Sequence, residues 1–252
     1  MDSSDSVENK IASAKEKVAN GHFDEAHVLL EEVLAVEPTN WIALTENGLL
    51  YFVTREYEPA MMYLESARQV QDSETLQLAC ADCFLRLGLT TDAVDVLTLL
   101  LEQNPLHKKA RNLIGTALNQ LDQPVDAIVH AEVVLKLEPS NVLARCNKSV
   151  SMCQLGLHND AIVLFKAANQ QLAEGAKMDA LVLFQFAEAL YKFNLLEECI
   201  TYLDSLIEED EEHIEALMLK SNVLEDLGRM EEADRVMALI TRLTEHLPDP
   251  DP

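Results

Sequence analysis

One short pattern recurs along this chain and fixes what it can fold into. Asp24-Glu25-Ala26 is followed by Glu58-Pro59-Ala60, Thr91-Asp92-Ala93, Val125-Asp126-Ala127, Asn159-Asp160-Ala161, Glu197-Glu198-Cys199 and Glu231-Glu232-Ala233. From Ala26 onward the steps are 34, 33, 34, 34, 38 and 34 residues. A repeat of this length is that of a helix–turn–helix unit, which stacks on its neighbours because it cannot bury its apolar face alone.

Each unit can be laid on its anchor residue, Ala in six units and Cys199 in the sixth. Twelve positions earlier stands a small residue every time: Ala14, Gly48, Ala81, Gly115, Ser149, Ala187 and Ser221. Two small residues, one per helix, let the paired backbones approach closely, and large residues fill the space around the crossing. Tyr51, Phe84, Leu118, Met152, Leu190 and Leu224 sit nine before the anchor; Leu30, Leu64, Leu97, Ala131, Phe165, Leu203 and Met237 sit four after it. Five before the anchor comes a turn former, Gly21, Gly88, Asp122, Gly156, Asn194 or Gly228, with Arg55 as the exception. These residue types accept the left-handed backbone that ends a helix, Gly most readily. Pro38, Pro105 and Pro139, twelve after the anchor, stop the second helix.

The small, large and Pro positions resemble the tetratricopeptide repeat. The resemblance runs from about residue 7 to 247 and implies an all-α, right-handed superhelical solenoid of seven repeats. The expected repeats are 7–40, 41–73, 74–107, 108–141, 142–179, 180–213 and 214–247 in a single domain 1–247. A tail rich in Pro and Asp, 248–252, stands where many such arrays carry a further solvating helix. The first helix is expected to open at Asp5, capped reciprocally with Glu8, and the last to run from Glu231 to Leu247. The four extra residues of the 38-residue step fall at 172–177, around Gly175, and predict a longer second helix in repeat five followed by a break.

No constellation for catalysis stands out. Cys80 and Cys83 form a Cys-x-x-Cys pair, but in mid-helix, away from the helix N-terminus that activates a thiol. Cys146, Cys153 and Cys199 complete an odd count, with no disulfide framework expected. The seven His are scattered and form no metal-ligand pattern, and the acidic run from Glu208 to Glu212 lacks the Gly of a calcium loop. No cofactor or metal is expected, and the chain reads as non-enzymatic.

Binding is what remains. With 44 acidic against 19 basic residues the net charge is −25, which disfavours nucleic acid and anionic membranes and favours basic partners. No apolar run reaches membrane-span length, and Met1 to Lys10 has no signal-peptide pattern, so a cytoplasmic protein is expected. The resemblance implies a concave groove lined by the first helices. The residues it places there are Leu49 and Phe52 in repeat two, Leu78, Asp82 and Leu85 in repeat three, and Asn112, Thr116 and Asn119 in repeat four. Val150 in repeat five and Phe184, Glu188 and Tyr191 in repeat six complete the set. The Lys–Asn pair with which chaperone adaptors of this family clamp a carboxylate is missing. The expected function is a scaffold or adaptor holding a peptide or helix with apolar anchors and a basic flank. Alternatives are a chaperone-type subunit holding an apolar client segment, a regulatory subunit of an enzyme complex, and a self-dimer through the same surfaces. The register itself is testable. Ala127→Leu is expected to overpack its helix crossing and lower stability by about 1–3 kcal/mol in a urea titration; an unchanged midpoint would remove the register.

Overall fold

The computed structural model describes residues 3–172 and 180–244, with side chains from 7 to 168 and from 180 to 244. Within these residues the chain is all-α, seven helix–turn–helix repeats made of fourteen helices. The first helices of the repeats are α1 (Ser3–Ala19), α3 (Trp41–Val53), α5 (Glu74–Arg86), α7 (Lys108–Gln120), α9 (Val142–Gln154), α11 (Ala180–Lys192) and α13 (Ile214–Asp226). Their partners are α2 (Phe23–Val36), α4 (Tyr57–Val70), α6 (Thr90–Gln103), α8 (Pro124–Leu137), α10 (His158–Leu172), α12 (Leu196–Glu209) and α14 (Met230–Thr244). Contacts gather into two units, residues 1–117 and 118–252.

Every first helix ends in the same way. In repeat three the Leu89 N–H donates to the Phe84 carbonyl at 2.8 Å and the Gly88 N–H to Leu85 at 3.3 Å, the paired bonds of a Schellman turn. The same two bonds recur at Gly21, Arg55, Asp122, Gly156, Asn194 and Gly228. All seven residues have φ between 56° and 80°, so Arg55 adopts the left-handed backbone although nothing in its chemistry favours it. Three residues connect the helices within each repeat; four connect successive repeats wherever that link is described, except at 71–73, where the one-residue deletion is taken up.

Five of the first helices, α3, α5, α7, α9 and α13, also start alike, through a signal the repeat pattern above did not include. Twenty positions before the anchor, a side chain accepts the N–H three residues on: Asn40 from Ala43 at 3.1 Å, Ser73 from Leu76 at 3.3 Å and Asn141 from Ala144 at 2.9 Å. His107 and His213 do the same with Nδ1, from Ala110 at 3.2 Å and Ala216 at 3.4 Å. Each cap satisfies a donor that the helix itself cannot.

Packing follows the small-residue frame. All seven anchor residues and all seven residues twelve before them are buried. At the α3–α4 crossing a methyl added to Gly48 would lie 2.6 Å from Cγ of Leu64 and 3.1 Å from the Ala60 carbonyl oxygen. Cys199 takes the Ala position and its thiol donates to the Ala187 carbonyl at 3.2 Å, which joins the two small positions of repeat six directly. In unit 118–252 the rings of Phe165 and Phe186 stack with centroids 3.6 Å apart, and Tyr202 meets both edge-on.

Two expectations differ from the structure. Helix α1 already includes Ser3 and Ser4, so Asp5 lies in its first turn, where an acid is equally favoured by the helix dipole. Met237 is 47% exposed, unlike the buried residues at its position in the other repeats, because no further described helix packs beyond α14. Helix α14 is described to Thr244; the expected end at Leu247 and the expected break at 172–177 around Gly175 fall on or beside residues 245–247 and 173–179, which lie outside the described residues. Helix α10 is one residue longer than the usual 14 before that point.

Two glycines separate the two constraints. Gly48→Ala is expected to cost about 1–3 kcal/mol through its collision with Leu64. Gly156→Ala meets nothing within 4 Å, so its cost of about 1 kcal/mol is backbone alone. Urea midpoints measure both, and Gly48→Ala combined with Leu64→Ala should cost less than the sum of the singles; strict additivity would disprove the contact.

Candidate functional site

The first helices of unit 118–252 leave a recess of about 400 Å³ between the end of α7, the middle of α9 and the face of α11. Its walls are Val150, Leu181, Phe184 and Ala189, with the polar side chains of Asn119, Gln120, Gln154, Gln185 and Glu188; Asp122 and Lys192 stand with them. The size falls in the range of ligand-binding clefts.

Helix periodicity puts these residues together. Phe184, Glu188 and Lys192 are four apart on α11, and Val150 and Gln154 four apart on α9, so each set forms one stripe. The α9 stripe is fixed to α7 by a buried polar network. The Asn119 amide donates to the Asn147 carbonyl at 3.0 Å and accepts from the Ser151 hydroxyl at 2.6 Å. The Gln154 amide donates to the Asn119 carbonyl at 2.9 Å. The floor is therefore rigid and held by its own hydrogen bonds.

Charge in the recess is uneven. Lys192 Nζ lies 3.8 Å from Asp122 Oδ1, and both side chains are open to solvent. Glu188 has no cation within ion-pair distance among the described residues. Its side chain is exposed, yet partial desolvation by the protein around it pushes the carboxyl above the usual carboxylate range.

The structure gathers four of the expected groove residues here: Asn119, Val150, Phe184 and Glu188. Tyr191 turns away and donates its hydroxyl to Asp226 at 3.0 Å. Asn112 and Thr116 are buried on α7, with the Thr116 hydroxyl donating to the Asn112 carbonyl at 3.1 Å. Asn119, expected to line the groove, commits its amide to α9. In unit 1–117, Leu78 and Leu85 are buried, and Asp82 accepts from Arg86 at 3.4 Å. Leu49 and Phe52 are half-buried, Phe52 edge-on to Tyr57 with ring centroids 5.6 Å apart.

Gln120, Gln154 and Lys192 were not anticipated. All three stand seven before their anchors, one helical turn beyond Thr116, Val150 and Glu188, and extending the groove offsets by four would have found them. Unit 1–117 has a polar cluster of its own. His27 Nδ1 meets Asn47 Oδ1 at 3.1 Å, the Asn47 amide and the Tyr63 hydroxyl donate to Glu31 at 2.8 Å and 2.9 Å, and Tyr51 reaches His27 Nε2 at 3.3 Å. Burial and then the bond to Glu31 push the Tyr63 hydroxyl up to about 12. The cluster's members satisfy one another, as a structural network does.

The five cysteines are free and buried. Burial pushes the Cys80 thiol up to about 11 and Cys83 up to about 12, the reverse of an activated pair. Among the described residues no group of His, Cys, Asp and Glu could hold a metal ion, and no helix is long and apolar enough to cross a membrane.

Residues 11–74 match the sequence profile of a family described as Tetratricopeptide repeat. Over 113 residues, 41% of this chain, the sequence is 34% identical to Protein PHOX1 of Arabidopsis thaliana, and the match spans 15% of that protein's length. The crystal structure of a tetratricopeptide repeat protein from Parabacteroides merdae matches with a TM-score of 0.71 over 96% of this chain and 98% of that one, at 18% identity. YrrB, described as a TPR protein with an unusual peptide-binding site, matches at 18% identity and a TM-score of 0.56 over 69% of this chain and 89% of its own. Such likenesses carry the fold.

The raised Glu188 carboxyl has a stability consequence. The folded chain holds this proton more tightly than the unfolded chain. The contribution of Glu188 is therefore most favourable below the ordinary carboxylate range and is lost as pH rises through the raised folded value. Glu188→Gln is expected to have a higher urea midpoint than the parent near pH ~7, with the two converging near pH ~4. A parent more stable than the variant at neutral pH would reverse this reading.

Proposed function

We propose that this tetratricopeptide-repeat protein is a non-enzymatic scaffold that holds a segment of a partner protein, with the recess on α7, α9 and α11 as its anchor point. The observation that carries the reading is the recess itself. It lies on first helices, the face the repeat family uses for its groove, and joins an apolar wall to polar groups set on rigid helices. Phe184 and Leu181 supply the apolar anchor site, and Glu188 with the surrounding negative charge favours a basic flank. Buried, unbridged cysteines fit a reducing compartment, so the proposed setting is cytoplasmic. YrrB, a protein of like fold, is described by its peptide-binding site, which favours a peptide over a small molecule.

The experiment is a pull-down with the full chain, identification of the bound proteins by mass spectrometry, and titration of the partner segment found. Phe184→Ala and Leu181→Ala are each expected to weaken binding by over ~1 kcal/mol. Val163→Ser and Met62→Ser, at exposed positions on the second helices α10 and α4, are expected to leave it unchanged. The opposite outcome would move the partner to the outer helices and remove the groove.

A further inference from the structure

We infer that the recess is a socket for one arginine side chain of the partner segment, an assignment that rests on the peptide-holding reading above. Two of the groups around the space, Glu188 and Gln154, carry acceptor oxygens with no donor among the described residues. Glu188 offers a carboxylate with no cation near it among the described residues, while Lys192, one turn along α11, faces Asp122 instead. Gln154 gives its N–H to the Asn119 carbonyl, and its own amide oxygen is left buried with no partner. Such an oxygen carries a desolvation cost until a donor arrives.

A ligand that answers this set is rich in donors and needs no acceptor of its own. A guanidinium has five N–H donors in a plane and accepts nothing. Its flat face suits the wall formed by Phe184, and its methylene stem suits Leu181 and Val150. An ammonium is a more strongly hydrated point charge and gains less from an aromatic wall. A carboxylate or phosphate would face Glu188 within a chain of net charge −25.

The test uses the full chain with methyl-labelled Leu and Val and N-acetyl-arginine methylamide as probe, followed by NMR. The uncharged citrulline analogue keeps the shape and loses the charge. The arginine probe is expected to shift the Leu181 and Val150 methyls saturably, and the citrulline probe to bind roughly tenfold more weakly. Glu188→Gln should weaken the arginine probe by a similar factor. The stability of that variant, measured alongside, excludes unfolding as the cause. Glu102→Gln, an exposed acid on α6, should leave it unchanged and controls for net charge. Equal binding of citrulline, indifference to Glu188→Gln, or no methyl shift at the solubility limit of the probe overturns the socket. A partner that responds to Phe184→Ala but neither to Glu188→Gln nor to loss of its arginines overturns the socket alone. A partner indifferent to all of these overturns the groove as well.

Discussion

Where α3 crosses α4 there is no room for a single methyl group on Gly48, because Leu64 fills the space a Cβ would need. This close approach, repeated with Gly, Ala, Ser or Cys in the other repeats, is the constraint on which the architecture rests. Two helices that touch at small residues bury the large ones around the contact, and the repeat then has one further apolar face to cover. The next repeat covers it. The exposed Met237 on α14 shows the same rule from the other side, since that face has no described successor.

The small positions, the turn positions and the Pro stops were legible because each is a steric requirement that few residue types satisfy. Seven anchors in register left no freedom in the number of helices. The cap series was legible in principle but carried by three residue types, Asn, Ser and His, so it lacks a single-letter signature. Arg55 could not be read, since its left-handed backbone is imposed by the surrounding turn and not by its own side chain.

The site was legible only in part, for a different reason. Offsets along a first helix say which way a residue points, and Val150, Phe184 and Glu188, placed by them, line one recess. They do not say whether that direction is open. Val150 is as buried at the recess wall as Leu78 and Leu85 are in repeat three, whereas Gln154 and Lys192 stand one turn further on, at the recess. Asn119 points toward the recess but is claimed by Asn147 and Ser151, a competition between neighbours that single-residue chemistry does not reveal.

The left-handed turns have a wider consequence. Each hairpin closes with three residues and its own pair of backbone bonds, decided within a few positions of the helix end. Length changes in the sequence fall instead between repeats, as at 71–73. A gain or loss of residues there leaves the internal geometry of both neighbouring hairpins intact, because neither takes its phase from the other. The array is thus built like a row of separately indexed modules. Its lineage could lengthen or shorten a joint, and so re-aim one stretch of binding surface, without re-solving the packing of any repeat.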